Sequence, residues 1–390
     1  MASFRASFSL SLLAAFASLG LSGCLFDPGS DAPQTHFDFS VLDTLPGPLA
    51  RWYDVPAGKS LVAVQFAFTS LDYGHDADSN IAAFAAEAGG PDSLRPAVAG
   101  AYVDFKVNPT RLKAFLDTVH ARGCVPYLTF DPKDFAGSDV ASQYAYVAQI
   151  PQGTWDVKLK EVAGVLRAFG HPVLLRFAHE MNGNWYPYSG VFYGGGSDAD
   201  HNGVADGPQK YITAWRYVHA LFAAEGATQI AWVYSPNAES YPSASWNAPF
   251  AYYPGSAYVD LIAVDVYEHP DKSRQGLAAL MAPVYNELGL FYEAHAGDTA
   301  YALRPFGLAE YGTARKNSTE KGDWYADAFQ ALASDPRVTF HALYNARNGS
   351  QDFSITGLGG RLAAVSQDSR FAFGPLSARA VTRAFARRAD

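Results

Sequence analysis

Cysteine, methionine and positive charge are scarce in this chain of 390 residues. It contains 2 Cys and 3 Met, and its 29 Lys and Arg are outnumbered by 38 Asp and Glu, for a formal net charge of −9. Two cysteines exclude a disulfide-stapled scaffold and a cysteine-based zinc cage. No longer basic run is present, and the adjacent basic pairs are Arg315-Lys316 and Arg387-Arg388, the latter at the very end. Because nucleic-acid phosphates require a positive surface, we expect no nucleic-acid partner.

Long apolar runs are also missing beyond the first residues, so no later segment is expected to span a bilayer. The start combines Arg5, an apolar or small stretch from Ser7 to Leu21, and then Ser22-Gly23-Cys24. This order is typical of a secretory signal peptide, and small residues directly before a cysteine resemble the bacterial lipobox. We therefore expect a signal peptide over 1–23, lipid attachment at Cys24 and a flexible tether over 24–50. The alternative is an ordinary signal peptide with an incidental cysteine.

These features predict an exported protein, anchored through its lipid to a bacterial membrane. The composition of the remainder is that of a globular chain, with 49% hydrophobic and 17% charged residues. Aromatic residues reach 14%. Tyr and Trp carry a polar group that resists complete burial. Their abundance fits either a large aromatic core or a cleft lined with flat rings, as in sugar-binding proteins.

Strand-like and helix-like segments alternate along the chain. The strand-like runs are continuously apolar, which is typical of parallel strands buried on both faces. The predicted strands are Leu61–Phe68, Ala97–Phe105, Val125–Phe130, Pro172–Phe177, Gln229–Tyr234, Val259–Tyr267, Arg304–Ala309 and Val338–Leu343. The predicted helices are Thr110–Ala121, Val157–Phe169, Lys210–Ala224, Leu277–Ala294 and Asp323–Ala333.

Eight such strands predict an α/β fold, a single (β/α)₈ TIM barrel over 51–390. A doubly wound open sheet is the competing fold. It usually has a glycine-rich phosphate turn after its first strand, and none follows Phe68.

Chemistry in such barrels lies where the strands end. The fourth strand ends in Arg176, His179 and Glu180, and the seventh ends in Glu310. A charged group beside an apolar strand is costly unless it is paired or used. Strands four and seven face each other across the mouth of a closed barrel, so the two carboxylates are expected to flank one bond.

Two opposed carboxylates are the minimum for cleaving a glycosidic bond. One protonates the departing oxygen, and the other attacks the anomeric carbon or activates a water. Each glutamate alone would also fit a structural ion pair. Together they favour glycoside hydrolysis.

The residues around Glu180 resemble the strand-four signature of glycoside hydrolase family 26, the mannanase-type enzymes. The signature is present here as RFAHEMNGNW, from Arg176 to Trp185. Further segments are similar to the family in the same order, and the likeness runs from about residue 55 to 360. These segments are 232–237, 253–267, 309–312, 321–324, 344–345 and 352–353.

The resemblance implies a retaining double displacement, with Glu180 as general acid/base and Glu310 as nucleophile. It implies that His179 orients Glu180 or touches the sugar, and that Tyr267 donates a hydrogen bond to Glu310. A carboxylate that accepts such bonds stays ionised, as a nucleophile must.

The resemblance also gives Arg176 and Asp260 the role of bracing the mouth. Two departures from the family pattern affect subsites, and hence the substrate more than the reaction. The third strand ends in Phe130-Asp131-Pro132 where relatives often have Trp-Glu-Pro, and Tyr344 precedes Asn345 at the end of strand eight.

Loop aromatics at a barrel mouth can stack on sugar rings. Trp185 is expected to be such a platform, and the family resemblance supports this. Trp246, in the loop after strand five, is a second predicted contact with the substrate.

Two segments of the sequence resemble parts of metal-binding motifs. A zinc protease is excluded because the second histidine of its motif is replaced by Gly183. The loop after strand four matches the first half of a calcium loop, although its twelfth position is Gln209 instead of Glu. The predicted structural Ca²⁺ would bind Asp198, Asp200, Asn202 and Asp206, with no part in catalysis. The alternative is a polar surface turn.

The sequence therefore predicts a retaining hydrolase of β-linked polysaccharide or oligosaccharide, first of all an endo-β-1,4-mannanase that needs no catalytic cofactor. A mixed-linkage β-1,3-1,4-glucanase and a β-1,3-xylanase are alternatives within the family. A non-catalytic glycan-binding lipoprotein is the alternative of another class.

Overall fold

A computed structural model describes residues 33–55, 58–66, 73–89, 94–134, 143–348, 350–355, 357–358 and 360–379. The predicted signal peptide and Cys24 lie outside the described residues, as does Arg387-Arg388. Among the residues described, no helix is long and apolar enough to cross a membrane.

Eight parallel strands form a closed barrel. Each strand pairs with the next one along the chain, and the first pairs with the eighth, which closes the ring. The predicted TIM barrel is confirmed. The strands are β1 (Ser60–Phe66), β2 (Val98–Asp104), β3 (Val125–Asp131), β4 (Val173–Phe177), β5 (Ile230–Tyr234), β6 (Leu261–Glu268), β7 (Phe306–Thr313) and β8 (Val338–Asn345).

Three two-residue strands complete the sheets. Arg347–Asn348 and Gln351–Asp352 form a hairpin directly after β8, and Phe371–Ala372 pairs with β1. The helices around the barrel are α1 (Tyr73–Glu87), α2 (Pro109–Ala121), α3 (Tyr146–Gln149), α4 (Asp156–Phe169), α5 (Asp206–Ala224), α6 (Leu277–Ala294), α7 (Ser318–Ala333) and α8 (Arg361–Ser366).

Helix starts are set by side chains that cap free backbone N–H groups. Asn317 accepts hydrogen bonds from the N–H groups of Thr319 and Glu320. The helix α7 therefore begins at Ser318, five residues before the predicted start, although its polar first turn is typical of a loop. Asn108 caps α2 in the same way.

The interior of the barrel changes from apolar to polar along the strands. On β4, Leu174 faces an apolar inner cluster, and two residues further on Arg176 faces inward as well. Thr129 on β3 is a fully buried partner of Arg176. The polar groups are thus concentrated at the carboxyl ends of the strands, which positions the site there.

The barrel unit begins at Thr35 and not at residue 51. We call residues 35–45 the N-terminal strap. Thr35 donates from its N–H to Asn286 (2.8 Å) and from its hydroxyl to Glu293 (2.7 Å), both on α6. Phe37 stacks on Tyr292 with 5.2 Å between ring centroids. The prediction of a flexible tether over 24–50 is therefore wrong for the strap. The aromatic residues of the strap pack on α6 instead.

Cys124 is buried at the start of β3 and has no disulfide partner among the described residues. Burial raises the pKa of its thiol to about 12. A thiol that stays protonated in this way is inert at neutral pH.

Candidate active site

Glu310 reaches the mouth of the barrel because of a β-bulge. Val264 on β6 pairs with Leu308, but the next residue, Asp265, pairs with Glu310. Ala309 is thus an extra residue that faces the inner cluster. Strict alternation would have turned Glu310 toward the helices, so the bulge redirects its carboxyl group into the site.

Three donors from three strands hold the carboxylate of Glu310. The Arg176 guanidinium and the Tyr102 hydroxyl donate to Oε1, and the Tyr267 hydroxyl donates to Oε2. Burial alone would raise the pKa of Glu310. The charges of Arg176 and His179 and the two phenol hydrogen bonds outweigh that effect and hold the pKa below its usual value. The predicted bond from Tyr267 is present.

Arg176 is fully buried and pairs with two carboxylates, those of Asp265 and Glu310. Its Nη1 donates to the two carboxyl oxygens of Asp265 at 2.8 and 2.9 Å. Thr129 accepts from Nε (3.0 Å) and Nη2 (2.8 Å). A planar guanidinium can make all these bonds at once, whereas an ammonium group could not. Arg176 therefore links Asp265 and Glu310 at the mouth, and its predicted bracing role is consistent with these contacts.

Asp260 does not share that role. It precedes β6, so it lies at the opposite end of the barrel from Glu310, where its Oδ2 accepts the backbone N–H of Trp232 (2.8 Å). The prediction for Asp260 is wrong because the strand starts after it. Asp265, five residues later on the same strand, is the partner of Arg176.

Glu180 lies in the turn after β4 and is 7% exposed. Its Oε1 accepts from Nδ2 of Asn237 (2.6 Å), and its Oε2 accepts from the indole N–H of Trp185 (2.7 Å). Burial raises the pKa of Glu180, and the charge on Glu310 adds to this effect. The His179 ring and the two donors oppose it without cancelling it. The pKa of Glu180 is therefore shifted upward, whereas that of Glu310 is shifted downward.

The turn that carries Glu180 is strained. Ala178 and Glu180 have φ values of 48° and 52°, which residues with a Cβ rarely adopt. Such a conformation costs on the order of 1–3 kcal/mol for each residue. Hydrogen bonds from Glu180 N to the Ser235 carbonyl (2.8 Å) and from Ala178 N to the Phe130 carbonyl (3.0 Å) hold it in place.

The Nδ1 side of the His179 ring contacts Asp131, which lies at the end of β3. The His179 Nδ1 and the Tyr188 hydroxyl each lie 2.9 Å from Oδ1 of Asp131, and Lys133 lies 3.2 Å from Oδ2. Burial would raise the pKa of Asp131, but Lys133 and His179 outweigh it and lower the pKa. The other ring nitrogen, Nε2, is 4.0 Å from Oε2 of Glu180. His179 thus lies beside Glu180, and its role in orienting that carboxyl group stays a prediction.

The aromatic residues after β4 and β5 divide into two groups. Trp185 and Tyr241 are 43% and 42% exposed, and their rings meet edge to face at 5.7 Å. Tyr188 is buried instead and serves Asp131. Trp246 is half-buried and packs on Gly195 and Gly196, so its role with substrate stays a prediction.

Among the residues described, one group of three potential ligands lies close enough to hold a metal ion: His179, Asp265 and Glu310. Arg176 already neutralises both carboxylates of this group, which makes a cation unfavourable there. The fit to a metal ion is therefore poor.

All residues of the predicted calcium loop, 198–209, belong to the part of the chain that the structure describes. Asp198 accepts the backbone N–H groups of Asn202 and Gly203, both at 3.0 Å. Asp200 accepts from the side chain of Asn202 (3.0 Å), and Asp206 lies 3.6 Å from Lys210. The calcium site stays a prediction.

Two members of the site could not be read from the sequence. Tyr102 lies inside an apolar strand, where a tyrosine is usually a core residue. Lys133 follows a strand as an isolated charge. In the structure its ammonium group lies over the Tyr186 ring (3.9 Å), and no sequence pattern indicates this contact. Asp131, Asn237 and Asp265 could be found as polar residues at strand ends, although no role followed from that position alone.

Comparison with known proteins bears directly on this geometry. Residues 145–293, which include Glu180, Asn237 and Asp265, match the sequence model of glycosyl hydrolase family 26. The match covers 149 of the 390 residues, and over this segment the chain is similar to that family.

Two curated relatives are similar to parts of this chain. Endoglucanase H of Acetivibrio thermocellus is 23% identical over 266 residues, 68% of this chain and 26% of that protein. Mannan endo-1,4-beta-mannosidase A and B of Caldalkalibacillus mannanilyticus is 35% identical over 115 residues, 29% of this chain and 20% of that protein. The chain thus spans about a quarter of the length of these two relatives.

Among solved structures, a family 26 beta-mannanase from Bacteroides ovatus has the same fold. Its TM-score is 0.57 at 18% identity, over 81% of this chain and 90% of that one. The barrel fold is therefore shared over nearly all of the solved structure.

Proposed function

We propose that the protein is a retaining glycoside hydrolase that cleaves a β-1,4-linked mannan, with Glu180 as acid/base and Glu310 as nucleophile. The proposal depends on two buried carboxyl groups at one mouth whose surroundings shift their pKa values in opposite directions. Burial raises the pKa of Glu180, whereas Arg176 and two phenols hold the pKa of Glu310 down. A protonated acid and an ionised nucleophile are the two groups that retention requires.

In the first half of the reaction, Oε of Glu310 attacks the anomeric carbon while Glu180 gives its proton to the departing glycosidic oxygen. A covalent sugar ester with Glu310 forms, and the aglycone leaves. In the second half, Glu180 takes a proton from a water that attacks the same carbon, and the electron pair of the breaking bond returns to Glu310. The exposed rings of Trp185 and Tyr241 offer stacking faces for the sugars of the chain.

The choice of mannan is supported by the relatives that carry the name mannan endo-1,4-beta-mannosidase. A β-glucan is the second candidate, because the relative matched over the longest part of this chain is named an endoglucanase. A purely glycan-binding role is disfavoured, since both carboxyl groups and all three donors to Glu310 are in place.

The test is the release of reducing sugars from mannan, glucomannan, mixed-linkage β-glucan and β-1,3-xylan. We expect release from mannan, a product that first appears as the β-anomer by NMR, and a loss of about 10⁴-fold or more in Glu310→Ala. The matched control is Glu161→Ala, which removes an exposed carboxylate from α4. Binding to these polymers without release from any of them would establish the glycan-binding role instead.

We also propose that the protein is exported and attached to a bacterial membrane through Cys24. The support is the order of a charged start, an apolar stretch and small residues before the cysteine. Metabolic labelling with a radioactive fatty acid should mark the wild-type protein and not Cys24→Ser. Equal labelling of both would refute the anchor.

A further inference from the structure

The indole of Trp185 is in contact with the carboxyl group of Glu180 and does not only line the cleft. Its N–H donates to Oε2 at 2.7 Å, while 43% of the residue remains exposed. The ring folds back over Gly183, where a Cβ would lie 2.5 Å from the indole. A side chain at position 183 would therefore push the N–H away from Glu180.

The two donors to Glu180 differ in how firmly they are held. Asn237, which donates to Oε1, is itself fixed by Asn182. The Asn182 side chain accepts from the backbone N–H of Asn237 (2.9 Å) and donates to its carbonyl (2.8 Å). Trp185 is in contact with Tyr241 and solvent on its outer side. Asn237 is thus a constant donor, and Trp185 is one that can be removed without disturbing buried groups.

An indole N–H can only donate a hydrogen bond, so it stabilises a carboxylate better than a carboxylic acid. Glu180 must lose its proton before the second half of the reaction, when it takes a proton from the attacking water. We propose that the Trp185 N–H is a positioning group for Glu180 that favours the carboxylate this second half needs. The proposal rests on the function proposed above and gives Trp185 a role apart from stacking.

Other charges also act on Glu180. They are the same in the wild type and in a variant that lacks only the indole N–H. The charged groups that face it are His179, Lys133 beyond β3, Asp265 on β6 and Glu310 on β7; the phenols are those of Tyr186, Tyr188, Tyr267 and Tyr344. A variant that removes only the indole N–H leaves all of them in place.

The test is Trp185→Phe, which keeps a flat ring and removes the N–H. The first half of the reaction needs protonated Glu180, so the alkaline limb of kcat/KM should move up by about one pH unit. The second half needs ionised Glu180. With a substrate whose activated phenol leaves without acid assistance, the acidic limb of kcat should move up as well. The control Trp155→Phe, which removes an indole N–H that donates to Gln149 (3.2 Å), should move neither limb.

A change in KM with both limbs unmoved would overturn the proposal and leave Trp185 as a platform. A second readout does not depend on hydrolysis. The emission attributed to Trp185, obtained by subtracting the spectrum of Trp185→Phe, should titrate with pH in wild type and not in Glu180→Gln. If the wild type hydrolyses nothing but this titration is present, the proposed function fails and the Trp185–Glu180 coupling stands. A flat emission in wild type refutes the coupling.

Discussion

Glu310 and Glu180 are the same residue type at one mouth, yet the protein holds them in different ways. Glu310 is 2% exposed and accepts from Arg176, Tyr102 and Tyr267, which belong to strands inside the barrel. Glu180 is 7% exposed and accepts from two groups on loops.

Burial is nearly equal at the two carboxyl groups, so burial does not decide their charge. The difference lies in the donors, because a buried guanidinium stabilises a carboxylate far more than a neutral amide or indole does. The strand side is thus built for a constant charge, and the loop side for a charge that can change. Two substitutions test this contrast, and a third tests the position of Asp260 away from the mouth.

The largest effect is expected from Arg176→Met, which leaves Asp265 and Glu310 buried without their cation. The free energy of unfolding should fall by about 3–5 kcal/mol, because an uncompensated buried charge is costly. Without the cation both carboxyl groups have pKa values above those of the unfolded chain. The variant should therefore be most stable at low pH and lose stability as the pH rises through these values. Urea unfolding from pH 4 to 8 measures both effects.

The matched control for that variant is Arg176→Met with Asp265→Asn, which removes one of the two stranded charges. It should recover part of the lost stability at pH 7. A single variant that unfolds within about 1 kcal/mol of wild type would show that the two carboxylates do not depend on Arg176.

A smaller effect is expected from Tyr102→Phe, which removes one hydrogen bond to Glu310. The pKa of Glu310 should rise, so the acidic limb of kcat/KM should move up by about one pH unit, since activity requires this group ionised. Tyr127→Phe is the control, because the buried Tyr127 hydroxyl has no hydrogen-bond partner in the structure. Equal shifts in both variants would mean that the Tyr102 bond does not act on Glu310.

The smallest effect is expected from Asp260→Asn. An asparagine oxygen can still accept the N–H of Trp232, and the position is far from the mouth. Activity should stay within about twofold of wild type and stability within about 1 kcal/mol. Steady-state kinetics and urea unfolding check this. A 100-fold drop in kcat/KM would instead show that Asp260 contributes to the active site.

Much of this molecule could be predicted from its sequence, for identifiable physical reasons. Strands buried on both faces have continuous apolar runs, so all eight were found. Glu180 and Glu310 were identifiable because a carboxyl group beside such a run is costly without a purpose.

The parts that were missed depend on exact strand bounds. Asp260 and Asp265 are five residues apart in one predicted strand, and only the true start at Leu261 separates the two ends of the barrel. The extra residue Ala309 leaves no mark in composition, yet it decides where Glu310 points. Tyr102 looks like core until its hydroxyl is seen on Glu310.

The N-terminal strap has a consequence for the order in which the protein is assembled. Thr35 bonds to Asn286 and Glu293, which lie 251 and 258 residues further along the chain. β1 likewise needs β8 to close the ring. Synthesis proceeds from the N-terminus, so these contacts cannot form until most of the polypeptide has been made. The segment that leaves the ribosome early is thus among the last to find its native partners, and it must remain available until α6 has emerged.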